Sequence, residues 1–352
     1  QNGIADESNG QYSGGGILVW NIGDFYFSNL IVENNYAETF GGGIRVAGGS
    51  NTYIDNSIIR NNSSDQSGSA IYIEDNVTLD SVAVYSNYNS PQYSTISLTS
   101  NKTLNVTNST ITGNDSYGIS SSGNNYINIT NSIFFNNLSD DNEFQITGTS
   151  IELNINYSLI ENGLDGISVI LNDDNEIIFN ESIDADPLFC NADGNDFTLY
   201  NISPCVGTGQ DGANMGAYDI GCYLDLVINE FMPNPSGSDG GKEWLEIVNV
   251  SGDSININGY VLRGSGGGEE YTVNQDIYVQ AGEYFVLGQN SDTTSNGNVQ
   301  VDLVYGNSIS LSNSGETIII LNNLGNEVDN VEYDDTWPYL SGVSCALISP
   351  LF

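Results

Sequence analysis

This chain of 352 residues has very few basic side chains: it contains no histidine and only five lysine and arginine residues, against 45 aspartate and glutamate residues. The formal net charge at pH 7 is therefore −40. Nucleic acid, anionic lipid and acidic polysaccharide bind to clustered basic side chains. Here the basic residues are scattered, at Arg45, Arg60, Lys102, Lys242 and Arg263. The composition argues against a nucleic-acid partner and favours surroundings whose counterions screen the charge.

Long apolar runs are also missing, and no segment stays apolar for long enough to cross a membrane. No targeting segment precedes the first repeat, and we expect the chain to be a piece of a longer, exported protein. Helical periodicity is absent too, since short β-branched stretches alternate with residues typical of turns. The sequence therefore predicts an all-β fold without direct membrane insertion.

Cysteine is scarce: Cys190, Cys205 and Cys222 cluster, and Cys345 stands apart. The lack of both a CxxC spacing and histidine argues against a zinc site. We expect at least one disulfide in the cluster, between Cys190 and Cys205, where it would staple a loop-rich region of an exported protein. Buried free thiols are the alternative.

The most regular feature of the chain is a repeat of short strands. Six isoleucines each follow a turn of small residues and are separated by 23 to 27 residues: Ile17, Ile44, Ile71, Ile96, Ile119 and Ile146. A period of this length, filled with short strands, is typical of a chain that stacks one coil on the next. Residues 1–183 are therefore predicted to form a parallel β-helix solenoid.

Asparagine recurs at both ends of a strand-like run that begins about ten residues after most of these isoleucines. It tolerates a left-handed backbone, and its amide can hydrogen-bond the asparagine of the next coil, so two ladders are predicted. The first contains Asn29, Asn56, Asn108 and Asn131, and the second contains Asn35, Asn62, Asn87, Asn114 and Asn137. A ladder of this kind serves the coil itself, so we assign these amides a structural role.

The repeat fades after residue 170, and a cysteine-containing segment over 184–224 follows. It contains DPLF at 186–189, SPC at 203–205 and GAYD at 216–219, and in this it resembles the closing segment of bacterial right-handed parallel β-helix surface proteins. The upstream GGGI openings and the strand end FFNN at 134–137 are similar to repeats of polymorphic outer-membrane adhesins. The resemblance implies a right-handed β-helix with a terminal coil or cap over 184–224, at the outer surface of a bacterial cell.

From residue 225 onward, strand-like runs alternate with Gly, Asn, Asp and Ser turns at the spacing of a β-sandwich. The runs VINEFM, EWLEIVN, GYVL, GEYFVL and LSNSGET begin at Val227, Glu243, Gly259, Gly282 and Leu311. This series resembles the lamin-tail domain, an immunoglobulin-like β-sandwich appended to secreted bacterial proteins. The resemblance implies a binding or spacing module over 225–352 that is incomplete at its C-terminal end.

β-Helices are also a scaffold for polysaccharide hydrolases and lyases, which need aspartates beside a histidine, or a basic residue near calcium. The acidic pairs at 140–141, 173–174 and 334–335 lie in contexts typical of turns instead. No GxSxG nucleophile motif and no phosphate-binding glycine loop with a lysine is present. The sequence predicts a non-enzymatic chain without catalytic residues.

Calcium is the one cofactor that the residues indicate. Asp184, Asp186, Asp193 and Asp196 offer hard oxygen ligands in short loops. They match neither an EF-hand nor a nonapeptide calcium repeat, and loosely bound counterions are the alternative. We therefore predict a calcium site at these four aspartates, in the segment that follows the repeat.

Two functions of different class remain. The first is an extracellular structural or adhesive protein, in which a rigid β-helix rod and a sandwich bind a cell-surface glycan, a protein or further copies of the chain. The second is a carbohydrate-binding or polysaccharide-processing β-helix. The second requires acids and aromatic side chains along one sheet, and a face of asparagine, serine and threonine alone would argue against it.

Overall fold

The computed structural model describes residues 4–5, 14–89, 93–137, 144–170, 176–265, 269–337 and 340–346. These residues form strands throughout, with two short 3₁₀-helices, which confirms the predicted all-β fold class. The chain divides into two compact units, Gln1–Gly221 and Cys222–Phe352. Each unit has its own apolar core.

The strands of the first unit follow one another around successive coils, and the coils pair in parallel. They are β1 (Ile4–Ala5), β2 (Ile17–Trp20), β3 (Gly23–Ser28), β4 (Ile31–Glu33), β5 (Tyr36–Ala37), β6 (Ile44–Ala47), β7 (Ser50–Arg60), β8 (Ser63–Ser64), β9 (Ile71–Ile73), β10 (Asn76–Tyr85), β11 (Ser94–Leu98), β12 (Thr103–Thr107), β13 (Thr110–Thr112), β14 (Tyr117–Thr130), β15 (Ile133–Phe135), β16 (Ile146–Asn156), β17 (Leu159–Ile160), β18 (Ile167–Ile170) and β19 (Ile177–Asn180). After them come β20 (Phe189–Asn191), η1 (Ala192–Gly194), β21 (Asp196–Tyr200), η2 (Gln210–Gly212) and β22 (Ile220–Cys222).

The isoleucines that define the repeat lie in one column. Each pairs in register with the next, from Ile17 and Ile44 to Ile119 and Ile146, and Ile167 continues the column. The coils therefore begin at β2, β6, β9, β11, β14, β16 and β18. Each has a first strand in this column, then a second and a third strand, and β7, β10, β14 and β16 run through a corner from one strand to the next.

Residues with a left-handed backbone turn two corners of the coil. The corner after the second strand lies at Asn29, Asn56, Ser81, Asn108, Asn131, Tyr157 and Glu181, with φ between 45° and 57°. The corner after the third strand lies at Asn34, Asn61, Ser86, Gly113, Asn136 and Asn162. Asparagine adopts this conformation more readily than most residues, which explains its recurrence. At the turn before the first strand, a Cβ on Gly42 would overlap the carbonyl oxygens of Ser63 and Ser69, so only glycine fits.

Inward-facing aliphatic side chains fill the coils. Ile54, Leu79, Val106, Ile129 and Ile155 follow one another in register and are at most 1% exposed. This column is part of one buried cluster that extends from the first coil to the sixth. No single coil could bury its own apolar face, so stacking is what stabilises the unit.

Residues 184–221, which we call the covering segment, lie along the outward side of the third strands. The ring of Phe197 contacts that of Tyr85 with centroids 4.9 Å apart, and the backbone N–H of Ala217 donates to Thr110 Oγ1 at 2.9 Å. The side chains beneath the segment are Ile58, Ala83, Tyr85, Ile133, Phe135 and Leu159. The segment predicted to form a terminal coil or cap therefore shields the side of the solenoid from water.

Cys190 and Cys222 are disulfide-bonded, whereas Cys205 and Cys345 are free thiols. The expected disulfide is present, but the predicted bond between Cys190 and Cys205 is wrong. The reason is the fold of the covering segment: β20 and β22 belong to one three-stranded sheet, while Cys205 lies in an apolar cluster. Burial raises the pKa of the Cys205 thiol to about 12, so this thiol stays protonated.

The second unit is a β-sandwich, as the strand spacing predicts. Its strands are β23 (Leu226–Met232), β24 (Trp244–Asn249), β25 (Ile255–Asn256), β26 (Val261–Gly264), β27 (Glu270–Thr272), β28 (Tyr278–Val279), β29 (Tyr284–Gly288), β30 (Leu303–Val304), β31 (Gly315–Leu321), β32 (Glu327–Asp334) and β33 (Cys345–Ala346). One sheet has the order β30-β29-β24-β23-β33 and the other β27-β26-β31-β32, while β25 pairs with β28. Side chains of both larger sheets form the core, among them Leu245, Phe285, Leu262 and Ile320.

Candidate binding face

The second strands present one outward surface, which we call the second-strand face. Its central row runs in register from coil to coil through Tyr26, Tyr53, Thr78, Asn105, Asn128, Asn154 and Ile178. Strand alternation turns these side chains to the outside and their neighbours into the core. The side chains of the row therefore repeat at the spacing of paired strands, about 4.8 Å.

Four side chains of this row hydrogen-bond one another. Asn154 Nδ2 donates to Asn128 Oδ1 at 3.0 Å and Asn128 Nδ2 donates to Asn105 Oδ1 at 2.9 Å. Asn105 Nδ2 donates to Thr78 Oγ1 at 3.3 Å. Each bond fixes the orientation of one amide and leaves that amide a second N–H for another partner. The row is thus a preorganised array of donors and acceptors.

Exposed aromatic side chains lie at one end of the row and beside it. The rings of Tyr26 and Tyr53 stack with centroids 4.8 Å apart and an interplanar angle of 7°. Tyr26 is 72% exposed. Tyr126, which is 53% exposed, stands in the adjacent row in register with Thr103. Exposed tyrosines beside amides give the face both apolar surface and hydrogen-bonding groups.

Two acids of the second-strand face, Asp24 and Asp55, are hydrogen-bonded by neighbouring coils. Asp24 Oδ1 accepts from Asn51 Nδ2 at 2.8 Å, and Asp55 Oδ2 accepts from Ser28 Oγ at 2.7 Å. Within the described parts of the chain, neither carboxylate forms an ion pair with a basic side chain. Acid-catalysed cleavage of a glycan needs two carboxyl groups in distinct environments flanking the bond. The bonds to Asn51 and Ser28 tie these two acids into the coil surface.

The five basic side chains are all engaged inside the protein. Arg45 pairs with Glu74 at 2.9 Å, Arg60 with Glu33 at 2.8 Å, Lys102 with Asp75 at 3.3 Å and Arg263 with Glu270 at 3.2 Å, while Lys242 Nζ donates to the Ser236 carbonyl at 2.8 Å. Arg45 is 2% exposed and lies beside the stacked rings of Phe40 and Tyr72. These contacts leave no basic patch on the described surface for an anionic partner.

The second predicted asparagine ladder is present in the structure. Asn35 Nδ2 donates to Asn62 Oδ1 at 2.9 Å, Asn62 to Asn87 at 3.0 Å, Asn87 to Asn114 at 3.0 Å and Asn114 to Asn137 at 2.7 Å. All five are at most 3% exposed. Gln145 ends the ladder by accepting from Asn137 Nδ2 at 2.7 Å. The ladder supplies hydrogen bonds inside the coil, which is a structural role.

The first predicted ladder is wrong for two of its four members. Asn131 Nδ2 donates to Asn108 Oδ1 at 3.2 Å, as expected. Asn29 and Asn56 instead donate to the side chains of the residues just before them, Ser28 and Asp55. What the four asparagines share is the left-handed corner and not a continuous chain of amides. The side-chain oxygen of the preceding residue is nearer than the asparagine of the next coil, so the local hydrogen bond forms instead.

A column of serines beside that corner was not predicted. Its members are Ser57, Ser109, Ser132, Ser158 and Ser182. Each Oγ accepts a backbone N–H from the preceding coil at 3.0 to 3.1 Å and donates to the carbonyl two residues before itself at 2.7 to 3.0 Å. The sequence signal is a serine directly after the corner residue, as in the Asn-Ser pairs at 56–57, 108–109 and 131–132.

The central row of the second-strand face was not predicted either. Its signal is an asparagine between two buried aliphatic residues, in LNV at 104–106, INI at 127–129 and LNI at 153–155. Alternation puts these asparagines on the outside. Their alignment across coils requires the register, which intervals of unequal length obscure.

The four aspartates predicted to bind calcium all lie exposed in the covering segment. Three accept a backbone N–H: Asp184 from Asn162 at 2.9 Å, Asp186 from Leu188 at 2.8 Å and Asp196 from Thr198 at 3.1 Å, while Asp193 lies in η1. Among the described residues, no group of three or more His, Cys, Asp or Glu side chains is arranged to hold a metal ion. The calcium site stays a prediction.

Residues 14–183 match the family described as the right handed beta helix region, and residues 223–335 match the Lamin Tail Domain. The chain joins a right-handed β-helix to a lamin tail domain. The matches confirm the two predicted folds and supply the handedness of the coils. No curated protein matches the chain.

A right-handed β-helix and a lamin tail domain together fit a structural or surface protein. Where the chain is described, it contains no helix with the length and apolarity of a membrane span. In the β-helix, the second-strand face combines hydrogen-bonding amides with exposed aromatic side chains. Its row of amides and its tyrosines point outward on a surface that seven coils build together.

Proposed function

We propose that the protein is a non-enzymatic extracellular or cell-surface protein with a structural or adhesive role. The observation that carries this proposal is the hydrogen-bonded row of Thr78, Asn105, Asn128 and Asn154 on the second-strand face. Because these side chains are already ordered, a ligand that meets them costs little further side-chain entropy. A repetitive surface of this kind fits a repetitive partner, such as a polymer or a dense array on a cell.

The non-enzymatic part of the proposal is supported by what surrounds the acids of the face. The chain has no histidine, and Asp24 and Asp55 are bound by neutral side chains of the coil. Hydrolysis of a polysaccharide commonly uses a carboxyl group kept protonated beside a second carboxylate. The hydrogen bonds that hold Asp24 and Asp55 in the coil surface support a binding role for the face rather than cleavage.

The charge of the chain narrows the class of partner. With a formal net charge of −40 and its basic side chains engaged in internal contacts, the protein repels polyanions. The partner we propose is therefore a neutral cell-surface glycan, a protein or another copy of the chain.

An extracellular location is supported by the disulfide of Cys190 and Cys222, since such bonds persist in oxidising compartments. The acidic composition supports the same setting, because extracellular salt screens the self-repulsion of the chain. A bacterial outer surface is proposed on the resemblance of the Gly-Gly-Gly-Ile openings to surface-protein repeats.

Glycan binding is the second candidate, and the exposed tyrosines favour it. Tyr26, Tyr53 and Tyr126 stand beside the amide row, and aromatic side chains next to amides complement both the C–H and the hydroxyl groups of a sugar. From the first coil to the fifth, this surface extends over about 19 Å, which accommodates an oligosaccharide of several rings.

Binding of the purified chain to a glycan array and to whole cells tests both candidates. We expect binding that the double change Tyr26→Ala and Tyr53→Ala weakens at least tenfold. The matched control replaces two exposed tyrosines of the lamin tail domain, Tyr278 and Tyr284, by alanine and should leave binding unchanged.

Different results separate the alternatives. Cell binding that persists without any glycan signal would support adhesion through a protein partner and reject the glycan. Loss of binding in the control alone would move the site to the lamin tail domain. Hydrolysis of any oligosaccharide on the array would overturn the non-enzymatic assignment, and a calcium requirement would direct substitutions to Asp184 and Asp186.

A further inference from the structure

Residues 308–314 of the lamin tail domain, between β30 and β31, are held by four carboxylates. Leu311 N donates to Glu243 Oε2 at 2.8 Å, Ser312 N to Glu316 Oε2 at 2.9 Å, Asn313 Nδ2 to Asp239 Oδ2 at 2.8 Å and Ser310 N to Glu269 Oε2 at 3.5 Å. We call Asp239, Glu243, Glu269 and Glu316 the acidic clasp. Four consecutive residues of one loop thus each donate a hydrogen bond to a different carboxylate.

Two members of the acidic clasp are buried. Glu243 is 4% exposed and Glu316 is 8% exposed. Their other partners are neutral: Gln289 Nε2 donates to Glu243 at 2.7 Å, and Ser265 N donates to Glu316 at 3.1 Å. Neutral donors stabilise a carboxylate less than a cation does, so charging these groups remains costly.

No positive charge offsets the clasp within the described residues. Lys242, the neighbour of Glu243 in sequence, donates to the Ser236 carbonyl. Besides the acidic clasp, two tyrosines contact this region: Tyr305 donates its hydroxyl to the Glu243 carbonyl, and Tyr333 donates to the Ser312 carbonyl. The ionisable groups around this loop therefore carry only negative charge when they ionise in the physiological range.

Burial and mutual repulsion favour the protonated form of both buried glutamates. Burial, helped by the charges of Asp239 and Glu316, raises the pKa of Glu243 to about 7, against the opposing effect of the hydrogen bond from Leu311 N. Burial also raises the pKa of Glu316, with a contribution from Glu269. Because each charge disfavours the next, the second ionisation of the pair is the costly one.

We propose that residues 308–314 form a pH-responsive loop, which the acidic clasp holds closed while Glu243 or Glu316 is protonated and releases when both are charged. The proton on Glu243 is held more tightly in the closed state than in the open one. This proton contributes its full stabilisation of the closed loop below the usual glutamate pKa of 4.5, and the stabilisation is lost as the pH rises through about 7.

Hydrogen exchange of the full chain at pH 5.5 and 8.5, corrected for the intrinsic exchange rate, tests the proposal. The amides of Leu311 and Ser312 should lose protection at least tenfold at the higher pH, since one pKa unit corresponds to a factor of ten. Glu243→Gln keeps an acceptor for Leu311 without a charge. This variant should show the same protection at both pH values.

The matched control is Glu246→Gln on the same strand, because Glu246 accepts from Asn229 away from the loop. This variant should keep the pH dependence of the unaltered chain. Equal protection of the unaltered chain at both pH values would overturn the proposal. A pH dependence that survives in Glu243→Gln and also in Glu316→Gln would overturn it as well, and either variant decides the question if the other does not fold.

Discussion

The β-helix and the lamin tail domain bury polar side chains in different ways. In the β-helix the buried groups are mostly neutral amides and hydroxyls, and the partner of Asn87 is the equivalent residue one coil away, Asn114. In the lamin tail domain single carboxylates such as Glu243 and Glu316 are buried, each held by backbone N–H groups of a loop. Among the described residues of the coils, the buried polar side chains other than Arg45 are thus neutral, whereas the lamin tail domain also buries groups that titrate.

The largest effect is expected from breaking the buried ladder with Asn87→Ala. This change removes a donor to Asn114 and to the Ile59 carbonyl and the acceptor of the Asn62 N–H. Each buried polar group left unsatisfied costs about 1–3 kcal/mol, so we expect the β-helix to lose about 4 kcal/mol of stability. Native-state hydrogen exchange of the β10 and β13 peptides measures the loss.

The matched control for that experiment is Asn128→Ala in the outer row, where water replaces the lost partner. We expect a change of less than about 0.5 kcal/mol. Equal losses in the two variants would contradict the distinction between an inner ladder that stabilises and an outer row that is available for binding.

The next effect concerns the disulfide between Cys190, in the covering segment, and Cys222, which follows that segment directly. Replacing both Cys190 and Cys222 by serine should lower the free energy of unfolding by about 3 kcal/mol, because the unfolded chain gains conformational entropy when the cross-link is lost. Calorimetry of the purified protein reports the change. Cys205→Ala, which removes a free buried thiol, should cost less, and the reverse order would contradict this account.

A substitution of Asp329 tests whether the lamin tail domain is the part of the chain whose stability depends on pH. Burial raises the pKa of Asp329 to about 6, although its Oδ2 accepts from Ile228 N at 2.7 Å. The proton on Asp329 stabilises the folded domain fully below the usual aspartate pKa of 3.8, and this stabilisation is lost as the pH rises through about 6. The change Asp329→Asn should therefore raise the free energy of unfolding at pH 8 by on the order of 1 kcal/mol relative to its effect at pH 3.5.

Hydrogen exchange of β23 and β32 peptides at the two pH values measures this gain. Peptides of the β-helix in the same sample serve as the internal control and should show no difference between the variant and the unaltered chain. An unchanged pH dependence of the β23 peptides in Asp329→Asn would show that other groups are responsible.

The smallest effect is expected where the repeat itself is imperfect. Thr52 is 1% exposed, lies in register with Val77, and its hydroxyl has no hydrogen-bond partner among the described residues. Thr52→Val removes this unsatisfied group and should stabilise the β-helix by about 1 kcal/mol in a denaturant titration. Thr78→Val, on the outer row, should bring no gain. A loss of stability in Thr52→Val would mean that the hydroxyl is satisfied.

The repeat explains which features the sequence could predict. The isoleucine column and the inner ladder follow from one rule applied to every coil, so a pattern along the chain is enough. The partner of Cys190 and the loop on the acidic clasp depend on contacts between segments that share no pattern. The error at Asn29 has a third cause, because a local acceptor competed with the repeat.

The internal pairing of the basic side chains also has a consequence for proteolysis. A protease that cuts after lysine or arginine must draw an extended stretch of chain around that residue into its active site. Arg45, Arg60 and Arg263 lie within strands, and Lys102 directly precedes β12. All four are paired with acids, so the folded chain presents no readily extended stretch at these residues. Cleavage by trypsin should begin after Lys242, in the turn before β24, and release a long fragment that contains all the coils.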